Sequence, residues 1–172
     1  MNKKMVFRTI GRLLQITAIL LLVPAIVAVI YGEKKQIFAF AITAVVSLCL
    51  GVVIFLLTKT KNHIIYARDG FAITALAWIG MALVGAVPFV ISGDIPNYID
   101  AVFETVSGFT TTGASILNDV ESLSMSALFW RSFTHWIGGM GVLVFVMAIT
   151  TLAGGNNMQL IRAESAGPGG EK

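Results

Sequence analysis

The sequence predicts an all-α integral membrane protein with two leading transmembrane helices followed by one span, loop, span unit, and three observations carry that prediction. The 172-residue chain is 56% hydrophobic and 12% charged, with a mean hydropathy of +0.85. A soluble domain of this length carries about twice that share of charge. The apolar residues gather into runs near the ~20 residues that cross the hydrocarbon of a bilayer as a helix. Between the last two runs lies a polar segment rich in Thr and Gly, from Phe103 to Ser115.

The first run, Leu13 to Tyr31, follows a basic start holding Lys3, Lys4, Arg8 and Arg12. A basic start and an apolar stretch also mark a cleaved signal peptide, but this run exceeds the roughly 7–15 apolar residues of that class and more spans follow. Pro24 predicts a kink that neighbouring helices accommodate. Gly32 to Gln36 predicts a polar turn, and Ile37 to Leu57 a second span antiparallel to the first. No chemistry is visible in these two helices. The lone Cys49 sits in the second span, with no cysteine to pair with and no metal-ligating neighbours.

Lys59, Lys61, His63 and Arg68 form a basic loop ahead of a third span, Gly70 to Ile91, whose Gly80 and Gly85 are read as helix-packing positions. The break Ser92 to Asn97 contains Pro96, which is placed to open a short helix ending near Ser107 and Gly108. The carboxyl end of that helix is expected to leave unpaired carbonyls and the negative end of its dipole facing the loop. Leu117 to Ser126 then leads into a fourth span, Ala127 to Leu152. The expected division is 1–62 as a two-span hairpin, 63–155 as the span, loop, span unit and 156–172 as a cytoplasmic linker to a missing second repeat.

Non-helical backbone is tolerated at membrane depth only where it is buried in protein or lines a watery cavity, so the polar segment reads as a pore loop. A dehydrated alkali cation needs several oxygen ligands, and Thr110, Thr111, Thr112, Gly113 and Ala114 offer carbonyls and hydroxyls with little side-chain bulk. These five are the candidate ion ligands, mainly through the backbone. Gly113 is the pivot, because without a Cβ it turns successive carbonyls at small steric cost.

Glu104 is an intramembrane carboxylate, read either as functional or as a hydrogen-bond partner behind the loop. Arg131 and His135 stand one helical turn apart, and snorkelling to the interface is the favoured reading for both, ahead of a place in the ion entry. Trp130 and Trp136 fit an interfacial belt. Gly138, Gly139 and Gly141 permit close approach to the short helix, or a bend. Ser107 with His135 suggests a hydrolase only weakly, since no Gly-x-Ser-x-Gly elbow and no third acid accompany them.

Lys and Arg cluster in 1–12 and 59–68, whereas Asp94 to Glu121 holds five acids and neither Lys nor Arg. The amino terminus is therefore expected in the cytoplasm, the carboxyl terminus with it, and Asp94, Asp100, Asp119 and Glu121 at an outer mouth where they concentrate cations. Lys34 and Lys35 dissent, offset in part by Glu33.

The run Phe103-Glu104-Thr105-Val106-Ser107-Gly108-Phe109-Thr110-Thr111-Thr112-Gly113-Ala114-Ser115 resembles the first pore loop of the Trk/Ktr/HKT potassium-transporter superfamily, and most closely that of its Trk (TrkH-type) membrane subunits. His135-Trp136-Ile137-Gly138-Gly139-Met140-Gly141 resembles the second helix of that family's first repeat, and Leu160-Ile161-Arg162-Ala163-Glu164 its exit into the next linker. The resemblance implies potassium uptake across the cytoplasmic membrane, no enzymatic activity and no cofactor, with K⁺ as the transported ion. It also implies four such units around one pore, of which this chain supplies the first. The partners it implies are the bilayer, the remaining repeats, a second copy in a homodimer and a cytoplasmic nucleotide-binding regulatory subunit, with no nucleic acid. A homotetrameric cation channel subunit and a non-conducting structural module are the alternatives.

Overall fold

Each apolar run forms one long helix in the computed structural model, which describes residues 3–58 and 67–152, with side chains at 67–68 and 142–152 left aside. The helices are α1 (Lys3–Tyr31), α2 (Lys34–Leu57), α3 (Ala67–Ser92), α4 (Tyr98–Phe109) and α5 (Met125–Leu152). Among the described residues, α1, α2 and α3 are long and apolar enough to cross a membrane. At about 1.5 Å per residue the 12 residues of α4 reach only about 18 Å, too short to cross. The chain is an all-helical, multi-pass membrane protein. The expected basic loop at Lys59, Lys61 and His63 and the linker 156–172 lie outside the described residues.

Two boundaries differ from expectation for one reason. Lys, Arg and Gln are good helix formers, so α1 begins at Lys3, ten positions before the apolar run, and Lys34 to Gln36 form the first turn of α2. The predicted five-residue turn shrinks to Gly32, at φ +70°, and Glu33. The proline in α1, Pro24, is buried within the helix.

Lipid chains are as apolar as leucine, so helices in a bilayer associate through close packing and polar contacts. In the α1–α2 hairpin that packing occurs at Gly11 and Gly51. A Cβ on Gly11 would stand 2.8 Å from the Gly51 carbonyl oxygen, and one on Gly51 would stand 2.7 Å from that of Gly11. Beside this crossing the Ser47 hydroxyl donates to the Leu14 carbonyl at 2.9 Å. The guanidinium groups of Arg8 and Arg12 lie over the Phe55 ring, 4.0 and 4.5 Å from its centroid.

Trp130 is the centre of the remaining packing. It is 0% exposed, its indole N–H donates to the Gly85 carbonyl at 2.9 Å, and Phe40 and Phe109 meet it edge-on at 6.3 and 6.4 Å. This overturns its expected place in an interfacial belt, because a tryptophan with its N–H satisfied internally is most stable fully buried. Trp136, by contrast, is 61% exposed and stacks on Phe133.

Gly80 and Gly85 of α3 separate in the same way. A Cβ on Gly85 would meet the Thr105 methyl at 2.8 Å and the Trp130 ring at 3.3 Å, whereas one on Gly80 would meet nothing within 4 Å. Gly85→Ala should therefore lower stability by about 1–3 kcal/mol through overpacking. Gly80→Ala should be neutral or stabilising by about 0.5–1 kcal/mol, since alanine is the better helix former. Thermal unfolding of the two variants in detergent decides this, and equal midpoints would contradict the packing described.

Candidate functional site

The short helix α4 starts at a cap and ends at one. Asn97 is the N-cap, its side-chain oxygen accepting the Ile99 amide at 2.9 Å, so Pro96 precedes the cap and does not open the helix. At the other end Thr112 N–H donates to the Ser107 carbonyl at 3.0 Å and Thr111 N–H to that of Gly108 at 2.9 Å. This pair of bonds is a Schellman closure, and the residue it places in the left-handed region is Thr111, at φ 56°. Glycine normally takes that position, and a β-branched residue there is strained. The Thr110 hydroxyl adds a bond to the Val106 carbonyl at 2.8 Å. The carbonyls expected to be unpaired at this end, those of Val106, Ser107 and Gly108, are thus taken up by the threonines that follow.

Beyond the cap, residues 112–124 are irregular, and every residue from Thr110 to Ile116 is exposed. Gly113 adopts φ 76°, in the left-handed region, and a Cβ on it would meet nothing within 4 Å. Its glycine therefore serves backbone conformation, not close packing. Thr110 and Thr112 share a hydrogen bond between their hydroxyls at 2.8 Å, the Thr111 hydroxyl donates to the Thr110 carbonyl at 2.7 Å, and the Ala114 carbonyl accepts the Ser107 hydroxyl at 2.6 Å.

Glu104 holds this segment from behind. Its carboxylate is wholly buried: Oε1 accepts the Ser115 hydroxyl at 2.5 Å and the Ile116 amide at 2.6 Å, while Oε2 pairs with Arg131 Nε at 2.9 Å. Glu104 thus makes hydrogen bonds behind the loop to Ser115, Ile116 and Arg131. The favoured reading of Arg131 is overturned, because its guanidinium turns inward to that buried carboxylate, where the pairing outweighs the hydration available at an interface. His135 Nδ1 lies 2.9 Å from the Arg131 carbonyl, and Ser107 is bonded to Ala114, so these two form no catalytic pair.

The fifth helix reaches the site through missing side chains. A Cβ on Gly138 would collide with the Phe109 carbonyl, one on Gly108 with the Thr134 side chain, and one on Gly139 would lie 4.0 Å from the Thr111 methyl. Thr110 to Ala114, Glu104, Arg131, His135, Gly138 and Gly139 are therefore brought together around one helix end. Sequence reasoning missed the positive φ of Thr111, Gly108 as a contact point, and the hydroxyls of Ser107 and Ser115 as anchors. Ser107 stands three residues after Glu104, on the same side of α4, which was the available signal. Asp94 is not a free mouth acid: its Oδ2 accepts the Ser92 hydroxyl at 2.5 Å and its Oδ1 the Ser124 amide at 3.2 Å.

The family model TrkH, described as a cation transport protein, matches residues 36–172. The Trk system potassium uptake protein TrkH of Vibrio parahaemolyticus is 37% identical over 170 residues, which cover 98% of this chain and 35% of that protein. The protein of the same name from Escherichia coli K12 is 39% identical over 168 residues, covering 94% and 34%. The crystal structure of the potassium transporter TrkH from Vibrio parahaemolyticus superposes with a TM-score of 0.83 at 34% identity, over 92% of this chain and 34% of that one. The chain spans about a third of the length of these relatives. With the family model covering most of its residues and its fold shared with a solved member, the chain belongs to the TrkH family of cation transport proteins.

Proposed function

We propose that this chain takes part in potassium uptake across the cytoplasmic membrane and supplies one of four pore loops of a selectivity filter. The observation that carries the reading is the segment Thr110 to Ala114: irregular and exposed, with left-handed backbone at Thr111 and Gly113, and tied from behind through Glu104. A K⁺ ion released from water needs a ring of oxygens, and one such segment offers about a quarter of that ring. The open side of the segment is where other loops would complete it. Relatives named for potassium uptake, and about three times as long, support this reading. The chain performs no enzymatic chemistry. Its partners are the bilayer and further repeats, and the family resemblance adds a second copy and a cytoplasmic nucleotide-binding regulatory subunit.

The basic residues of α1 support an amino terminus in the cytoplasm, with the α4 end of the bundle facing outward. A cysteine at Asn97, made in a chain whose Cys49 is replaced by alanine, should react with an impermeant thiol reagent from outside intact cells. Reaction only after permeabilisation would reverse the orientation.

Gly113→Ser tests the filter itself, in the complete chain. A serine at φ 76° is strained by about 1–2 kcal/mol but meets no neighbour, so the protein should still accumulate. The backbone should relax away from the left-handed region and discrimination of K⁺ over Na⁺ should fall roughly tenfold, a change of about 1.4 kcal/mol. Relative K⁺ and Na⁺ uptake in cells lacking other potassium transporters measures it. An unchanged preference at normal expression would remove the loop from the filter.

A further inference from the structure

We propose that Glu33, in the turn of the leading hairpin, is a positioning residue for the loop, acting through the start of α5; the proposal rests on the filter reading above. Glu33 is the N-cap of α2, yet its side chain makes no bond to that helix. Its carboxylate instead accepts the Met125 amide at 2.7 Å, the Ser126 amide at 3.1 Å and the Ser126 hydroxyl. The first amides of a helix have no partner within it, and an anion there also meets the positive end of the helix dipole. A residue outside the span, loop, span unit thus caps the last helix of that unit from 92 positions away in the chain.

A second tie joins the same end. Asp94, between α3 and α4, accepts from Gln36 Nε2 at 3.3 Å and from the Ser124 hydroxyl at 3.1 Å, besides its bonds to Ser92 and the Ser124 amide. Gln36 stands in the first turn of α2, so both ties run between the hairpin turn and the residues that open α5. From there the helix reaches Arg131 in about one and a half turns. Arg131 is the residue that meets Glu104, and Glu104 is the residue that holds Ser115 and Ile116. The irregular segment 116–124 is therefore fixed at both ends, by Glu104 at one and by Asp94 and Glu33 at the other. If the hairpin releases the start of α5, the helix is free to shift or turn, and Arg131 moves relative to Glu104. A hairpin that gives no residue to the filter would in this way set the geometry of the filter.

The test compares Glu33→Ala and Glu33→Gln with Lys35→Ala, an exposed neighbour, in the complete chain and with expression measured. Both Glu33 variants should lower the K⁺ over Na⁺ uptake ratio roughly three- to tenfold, while Lys35→Ala leaves it unchanged. In a Cys49→Ala background, thiol modification of Ile116→Cys should be faster when Glu33 is also replaced. Should Glu33→Ala fail to accumulate, Glu33→Gln preserves the volume and one acceptor and gives the reading. A loss of folded protein with the uptake ratio and the Ile116→Cys reactivity both unchanged would overturn the proposal, since it would confine Glu33 to holding the fold. Gly113→Ser, run in parallel, separates the two claims. A ratio that falls in Gly113→Ser but holds in the Glu33 variants overturns the positioning role alone, and one that holds in Gly113→Ser overturns the filter reading with it.

Discussion

A carboxylate with no exposed surface, placed inside a bundle of apolar helices, is stable only if its charge is fully answered, and the arrangement around Glu104 follows from that requirement. Stripping water from such a group costs several kcal/mol, about what a well-formed ion pair with further hydrogen bonds returns. The Arg131 guanidinium, the Ser115 hydroxyl and the Ile116 amide supply those partners. They come from α5 and from the segment that follows the glycine, so satisfying one buried charge joins the short helix, the long helix and the loop. The pair contributes little net stability against an apolar alternative. Its effect is on geometry, because removing either partner leaves a charge with nowhere to go.

That constraint explains how backbone strain persists next to it. Thr111 and Gly113 both stand at positive φ, the first without the freedom that glycine brings. Strain of this kind survives where surrounding contacts over-determine the conformation. Here the contacts are the Schellman closure on α4, the bond from Ser107 to the Ala114 carbonyl and the Glu104 anchor one residue further on. Close approach of α5 completes the enclosure, made by small residues at Gly108 and Gly138 where apolar helices in a lipid solvent have no hydrophobic force to bring them together.

The long helices were legible in the sequence because a run of apolar residues near 20 admits only one structure in a bilayer. Gly113 was legible because a glycine inside a polar loop needs a reason, and the positive φ is that reason. Arg131 and Trp130 were misread for a shared cause. Both residue types prefer interfaces on average, and only a partner distant in sequence, Glu104 for one and the Gly85 carbonyl for the other, draws each inside. Glu33 gave no local sign at all, since its partners lie 92 and 93 positions further along the chain. Thr111 was hidden by chemistry: nothing in a run of three threonines says which one takes the conformation usually left to glycine.

If Glu104 governs the site, its coupling to Arg131 must be measurable. The direct test is a double-mutant cycle of Glu104→Gln and Arg131→Gln in the complete chain, followed by unfolding in detergent. Each single variant should cost about 3 kcal/mol or more, because it strands a desolvated partner, and the double variant should cost clearly less than the sum, with a coupling above about 1 kcal/mol. Strictly additive losses, each within about 0.5 kcal/mol of the parent, would mean that this pair does not hold the loop and that the account built on it is wrong.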